Sequence, residues 1–305
     1  MPHEDSPLDL SFENVPRLAF PDDAWEWFAN ACRDIELPLD DAKRSVLEAL
    51  YSHLLFVNES LNLTRIVTPL DYLKFHVFDS LTIENLVAAY TKPDDIVVDL
   101  GSGGGYPGLP LMTWLPDRRW ALVDSRPHKV EFLNETLKLT PAAQNAHGYA
   151  FRGREAASQA PELFQNCQLV TARAVGKGVE LLQDVTALLD INGIFILMKG
   201  PAWPETEQKD FMRALPSAGF DLVEEQNIAL DESDPDRWVI ITTKLKHPKQ
   251  KSTASKGKFK ASERRRKQQG NLEKFYCGQT VLRNSMLFRA IISAPKEKSK
   301  TSTEA

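Results

Sequence analysis

The chain has 305 residues, 42% of them hydrophobic and 26% charged, with a formal net charge of −5. Those proportions leave room for a sizeable core and exclude wholesale disorder. Cys32, Cys167 and Cys277 are too few and too scattered for a disulfide scaffold or a cysteine zinc cluster, which fits a reducing, cytoplasmic setting. No run reaches the ~18 apolar residues of a membrane span. The start MPHEDSPLDL lacks the basic and apolar stretches of a secretory signal. Neither membrane nor metal is expected.

The net charge conceals an asymmetry. Residues 246–305 hold 16 Lys and Arg against 4 Asp and Glu, so they carry +12 while the rest carries −17. An acidic body with a cationic tail points to a polyanionic partner.

In chain order, residues 1–23 read as a loose acidic leader and 24–92 as a helical cap. Within the cap, 24–36 has apolar residues at helical spacing. Leu39 to Val57 predicts an amphipathic helix capped by Asp40 or Asp41. Pro69 to Tyr90 predicts another, with Pro69 suited to its first turn. Asn62 and Thr64 fall between these helices, where such residues make turns and caps. From 93 to 245 the pattern changes. Apolar runs at 96–100, 120–124, 147–151, 168–172 and 194–199 alternate with helical segments at 107–115, 127–139, 177–190 and 204–216. Runs at 220–228 and 237–245 add two more candidate strands. The alternation predicts a doubly wound, mainly parallel, seven-stranded α/β sheet of Rossmann-like type. Residues 246–305 read as a basic, largely disordered extension, with a candidate docking helix at 271–292.

The densest signal is DLGSGGGYPGLP, from Asp99 to Pro110, between a strand and a helix. Its glycines let backbone approach a ligand where a Cβ would clash. Gly103, Gly105 and Gly108 match the dinucleotide fingerprint. The order of Asp99, Gly101 and Gly103 looks more like an S-adenosylmethionine loop. Asp124, at the end of the next strand, can accept from ribose hydroxyls of either cofactor.

Six blocks, taken in order, resemble one family. They are Asn62-Leu63-Thr64; His76 with Asp79-Ser80-Leu81; the glycine loop; Asp124-Ser125 with Lys129, Phe132 and Leu133; Arg173-Ala174; and Lys199-Gly200. Over about residues 45–245 the chain resembles the RsmG (GidB) family. That family comprises bacterial S-adenosylmethionine-dependent methyltransferases acting on guanine N7 of small-subunit (16S) ribosomal RNA. The resemblance implies a Rossmann-like class I methyltransferase whose cofactor is S-adenosyl-L-methionine. Its partner would be 16S ribosomal RNA or the small ribosomal subunit. It also implies cofactor contacts at Gly101, Gly103, Tyr106, Asp124, Glu155, Ala156 and Arg173.

The chemistry is compatible. Guanine N7 has a lone pair and no proton, so its methylation needs placement and a complementary field rather than a general base. The stretch TARAVG lacks the Asn/Asp-Pro-Pro-aromatic motif of many exocyclic-amine methyltransferases. Arg173 can clamp the methionine carboxylate or an RNA phosphate. Lys199, at the carboxyl edge of a central strand, can hold a backbone phosphate or snorkel at the sheet edge. His76, Asp79 and Ser80 share a helix face. They can roof the pocket, with His76 contacting the target nucleotide, or fasten the cap to the sheet.

Overall fold

The computed structural model describes residues 10–13, 15–230 and 234–246. The first nine residues of the expected leader, residues 247–305 of the expected extension and its docking helix all lie outside them.

Seven strands form one sheet in the order β3-β2-β1-β4-β5-β7-β6. They are β1 (Ile96–Leu100), β2 (Arg119–Asp124), β3 (Ala146–Ala150), β4 (Cys167–Arg173), β5 (Leu189–Lys199), β6 (Phe220–Ile228) and β7 (Arg237–Lys244). β7 alone runs opposite to the other six strands and pairs antiparallel with both β5 and β6. The order reverses between β1 and β4, which creates a crevice at their carboxyl ends. Central strands buried on both faces read as continuous apolar runs, which is why β1 stands in the sequence as IVVDL. Alternate residues Ile96, Val98 and Leu100 pack with Leu181, Val185 and Phe211 in one core cluster. Asp99 therefore faces the other side of the sheet.

Helix Gly178–Leu188 follows β4 and is held at both ends. Glu207 Oε2 accepts from Gly178 N at 2.7 Å. At the other end Lys244, fully buried, donates from Nζ to Thr186 O at 2.8 Å and Leu189 O at 2.5 Å. An anion at the N-terminus and a cation at the C-terminus complement the helix dipole. Burial pushes the Lys244 ammonium down to about 8.

The amino-terminal helices are α1 (Asp22–Asp34) and α2 (Asp41–Leu61). Asp40 caps α2, accepting from Lys43 N at 2.8 Å, and Asn62 ends it in the left-handed region at φ +49°. The buried His53 of α2 bonds Thr136 across to helix Pro127–Leu137 at 2.9 Å. Trp114 Nε1 donates to Pro38 O at 3.0 Å. Cap and sheet belong to one compact unit, Met1–Pro248.

Two expected helices are interrupted. Pro69 to Tyr90 is not continuous: Tyr72–Phe78 is a π-helix, Asp79–Leu81 returns to α, and Glu84–Tyr90 is a separate helix. The side chains of Ser80 and Thr82 bond back to His76 O and Asp79 O. Arg173 donates to Phe75 O, and such side-chain insertion widens a helical turn. The segment expected at 204–216 divides at Glu207 into Trp203–Thr206 and Gln208–Ala218. A short turn at Gly153–Gln159 appears where no element was expected.

Candidate active site

The loop after β1 is held by its own backbone and by β2. Gly101 N and Ser102 N donate to Val123 O at 2.7 and 3.1 Å. Gly103 N donates to Asp124 Oδ2 at 3.0 Å, and Arg126 N to Asp124 Oδ1 at 2.9 Å. Gly101, Gly103 and Gly105 have φ of +76°, +57° and +97°, the left-handed region open to glycine. Asp99 turns away beneath the loop, where its Oδ2 accepts from Gly108 N at 2.9 Å. Burial pushes its carboxyl up to about 6, against the lowering pull of that bond.

This loop forms one wall of a cleft of about 450 Å³. The floor is Asp124 and Ser125, with Arg126 and Lys129 beyond. The opposite wall is Arg173, Ala174, Val175 and Gly176, where β4 ends. Leu63, Thr64, His76 and Tyr106 close the cap side. The volume lies within the ~300–1,000 Å³ of small-molecule sites. The two walls interlock: a Cβ on Gly101 would stand 2.3 Å from Val175 Cγ2. A Cβ on Gly103 would meet only Gly101 O and Lys129 Nζ, both 3.8 Å away at ordinary contact distance.

On the cap side, the His76 ring stacks on Tyr106 at 4.4 Å and 11° between planes. Arg173 covers the same tyrosine at 5.4 Å, and the Tyr106 hydroxyl donates to Tyr72 at 3.0 Å. His76 Nε2 bonds Thr64 Oγ1 at 2.8 Å, and its Nδ1 lies 3.4 Å from Arg173 Nη2. Guanidinium nitrogens only donate, so Nδ1 is the acceptor and Nε2 carries the proton. Burial, reinforced by the Arg173 charge, drives the imidazole down to about 3. Arg173 Nη1 donates to Asp79 Oδ2 at 2.9 Å and to Phe75 O at 3.0 Å. Both side chains of that ion pair are largely buried. The other Asp79 oxygen has no hydrogen-bond partner; Arg237 Nε lies 3.6 Å from it.

The structure thus brings Gly101, Gly103, Tyr106, Asp124, Arg173 and His76 together around one cleft. It does not bring the other three predicted residues there. The Glu155 carboxylate accepts from Arg152 N at 3.0 Å and so caps its own turn. Ala156 is fully buried in the core. Lys199 is not a free cation at the strand edge. Its Nζ donates to Gly176 O at 2.7 Å and to Glu207 at 2.9 and 3.0 Å, which engages all its donors inside the protein. Arg173 lines the cleft and at the same time holds an internal ion pair with Asp79. Of the trio, His76 on the π-helix and Asp79 on the α turn after it meet Arg173, whereas Ser80 bonds only backbone. Trp203 is core. The missed participants are Val175, which seats over Gly101, and Glu207, which carries no local motif.

Strand order with one antiparallel strand, a glycine loop at the switch point and an acid ending β2 define a Rossmann-like class I methyltransferase. The family of rRNA small subunit methyltransferase G (GidB) matches residues 43–228, and the chain belongs to it. A ribosomal RNA small subunit methyltransferase G from Leuconostoc mesenteroides is 32% identical over 239 residues, 76% of this chain and 97% of that protein. Its counterpart from Lactobacillus acidophilus is 32% identical over 216 residues, 70% and 88% of the two chains. A solved S-adenosylmethionine-dependent methyltransferase from Methanosarcina mazei is 14% identical, with a TM-score of 0.43 over 52% of this chain and 97% of that one. Among the described residues there is no His, Cys, Asp and Glu group able to hold a metal, and no helix long and apolar enough to cross a membrane.

Proposed function

We propose that the protein transfers the methyl group of S-adenosylmethionine to N7 of a guanine in 16S ribosomal RNA, in the cytoplasm. The observation that carries this reading is a cofactor-sized cleft in which none of the described lining residues is poised as a general base. His76 is held neutral and far below the range of an effective base. Both Asp124 oxygens already accept backbone N–H groups. The raised Asp99 carboxyl lies beneath the loop, bonded to Gly108. A ring nitrogen bearing a lone pair needs none of these as a base.

The residues fit the cofactor. A carboxylate has about four lone-pair sites, so Asp124 keeps capacity for ribose hydroxyls after its two backbone bonds. Gly103 lines the cleft without a side chain, so a ligand can approach its backbone. Arg173 offers its guanidinium edge to the methionine carboxylate. When bound, the cofactor supplies an electrophilic methyl on a sulfonium. The protein's part is orientation: interlocked walls limit movement, and the half-buried His76 stacked on the buried Tyr106 gives a roof. A neutral His76 adds no positive charge beside a base that becomes cationic.

Charge supports an RNA substrate. The cleft is lined by Arg126, Lys129 and Arg173 against Asp124 alone, in a body of net charge −17. The basic extension would add further phosphate contacts, which are blind to sequence and sensitive to salt. The test is incubation with labelled methyl donor and small subunits or their naked RNA, followed by mapping. Label on a guanine at N7 is expected, and deletion of 246–305 should flatten the salt dependence of RNA binding. Label confined to protein or to small molecules would overturn the proposal.

A further inference from the structure

We propose that Lys199 and Glu207 act as positioning residues that set the separation of the two cleft walls. The inference rests on reading the cleft as the cofactor site. Lys199 ends β5 and is 9% exposed, and Glu207 interrupts the following helical stretch. Their ion pair grips the β4 exit at two points. Lys199 Nζ holds Gly176 O at 2.7 Å, and Glu207 Oε2 holds Gly178 N, also at 2.7 Å. Between β4 and these anchors the chain passes Ala174 and Gly176 at φ +54° and +29°. For alanine that conformation is strained and persists only where the surroundings enforce it. Val175, on the same bend, is the side chain packed over Gly101.

A chain of contacts therefore runs from the Glu207 carboxylate, through Lys199 and Gly176, to Val175 and the glycine loop. No atom of the pair needs to touch the cofactor. Loss of the grip would release the bend and let Val175 lift from Gly101. A wall displacement on the order of 1 Å can lower a rate by up to ~100-fold. The pair also accounts for a lysine at the carboxyl edge of a central strand without assigning it a phosphate.

The test uses full-length protein carrying Lys199→Met with Glu207→Leu, which removes both charges and leaves neither buried alone. Hydrogen exchange without cofactor reads the walls directly. Peptides covering 173–178 and 99–106 should both exchange roughly tenfold faster while the rest of the sheet is unchanged. Calorimetric Kd for S-adenosylmethionine should rise about tenfold, and the salt slope of RNA binding should stay at the wild-type value. Glu207→Gln, which keeps an acceptor for Gly178 N, should give an intermediate effect and serves if the double variant does not fold. Unchanged exchange in 99–106 would overturn the proposal. So would Lys199→Met alone flattening the salt slope by about one while Kd holds, the signature of a phosphate contact. If wild-type protein bound no S-adenosylmethionine, the functional reading would fall, and exchange would still decide the role of the pair.

Discussion

The backbone of the wall from Asp99 to Gly108 is held by near neighbours: its N–H groups go to Val123, to Asp124 and to the loop's own Asp99 and Ser102. The wall from Arg173 to Gly176 is held from afar. Phe75 and Asp79 fix Arg173, and Lys199 and Glu207 fix Gly176 and Gly178. One wall is a tight strand-to-helix turn whose shape follows from glycine and from a single acid on the adjacent strand. The other is a bend whose shape depends on four other segments of the chain. Substitutions in the first wall should act locally and steeply. Substitutions in the second should be strongly coupled to distant partners.

The largest effect is expected at Gly101. A β-branched residue at φ +76° costs about 1–2 kcal/mol in backbone strain. Displacing Val175, 2.3 Å from the new Cβ, adds about 1–3 kcal/mol. Gly101→Val should therefore weaken cofactor binding by at least ~100-fold while the chain still folds cooperatively. Titration calorimetry with a parallel thermal melt measures both. Near-normal binding would mean that the walls do not interlock as described.

Arg173 comes next, and here the comparison sharpens. Arg173→Ala leaves the buried Asp79 carboxylate with Arg237 alone, 3.6 Å away, a loss below the about 3–5 kcal/mol of a fully stranded buried charge. Adding Asp79→Ala should restore most of that stability without restoring methyl transfer. The pair of melts and the pair of rates together separate the structural part of Arg173 from its part in the cleft. Recovery of activity in the double variant would show that Arg173 serves only its ion pair.

These two walls also mark how far the sequence is legible. The glycine loop, Asp124 and β1 stand out because each is local: a five-residue apolar strand, a run of glycines, an acid at the next strand's end. The sheet class follows from the same alternation, and the antiparallel direction of β7 does not, since direction is a property of the connection rather than of RWVIITTK. The π-helical turn at Tyr72–Phe78 is invisible in a regular apolar pattern, and the arginine that bonds its Phe75 carbonyl lies 98 residues away. Lys199 shows the same limit. Its place at a strand's carboxyl edge is readable, but its partner Glu207 lies beyond a turn and has no motif of its own. The contacts at Glu155 and Ala156 come from the resemblance alone, and the turn they form is one that periodicity does not reveal.

A smaller effect concerns His76, on the cap side of both walls. Its folded value of about 3 lies below the ordinary 6.5, so between those values the unfolded chain binds the extra proton. This group's contribution is fully present above pH 6.5 and is lost as pH falls toward 3. Asp99 acts in the opposite sense. Its folded value is raised from 3.8 to about 6, so its contribution is present below 3.8 and is lost as pH rises through 6. The two partly cancel in wild-type protein, and the difference between wild type and His76→Gln isolates the histidine. Urea melts from pH 4 to 8 should show the wild type gaining stability relative to the variant with rising pH. A difference independent of pH would mean that His76 is not held neutral.

The smallest effect expected is at Glu155. Its carboxylate reaches back to Arg152 N within one turn, and nothing connects it to either wall. Glu155→Ala should change stability by no more than about 0.5 kcal/mol and cofactor affinity by no more than about twofold. The neighbouring Ala156 is a different case, since it is fully buried beside Leu181 and Val185 in the core cluster. A larger residue there should lower the melting temperature before it alters binding, because overpacking acts on the core that carries the sheet. Calorimetry on Glu155→Ala is the decisive measurement. A Kd raised tenfold would place the Gly153–Gln159 turn against the bound cofactor and add a third wall to a cleft that otherwise closes with two.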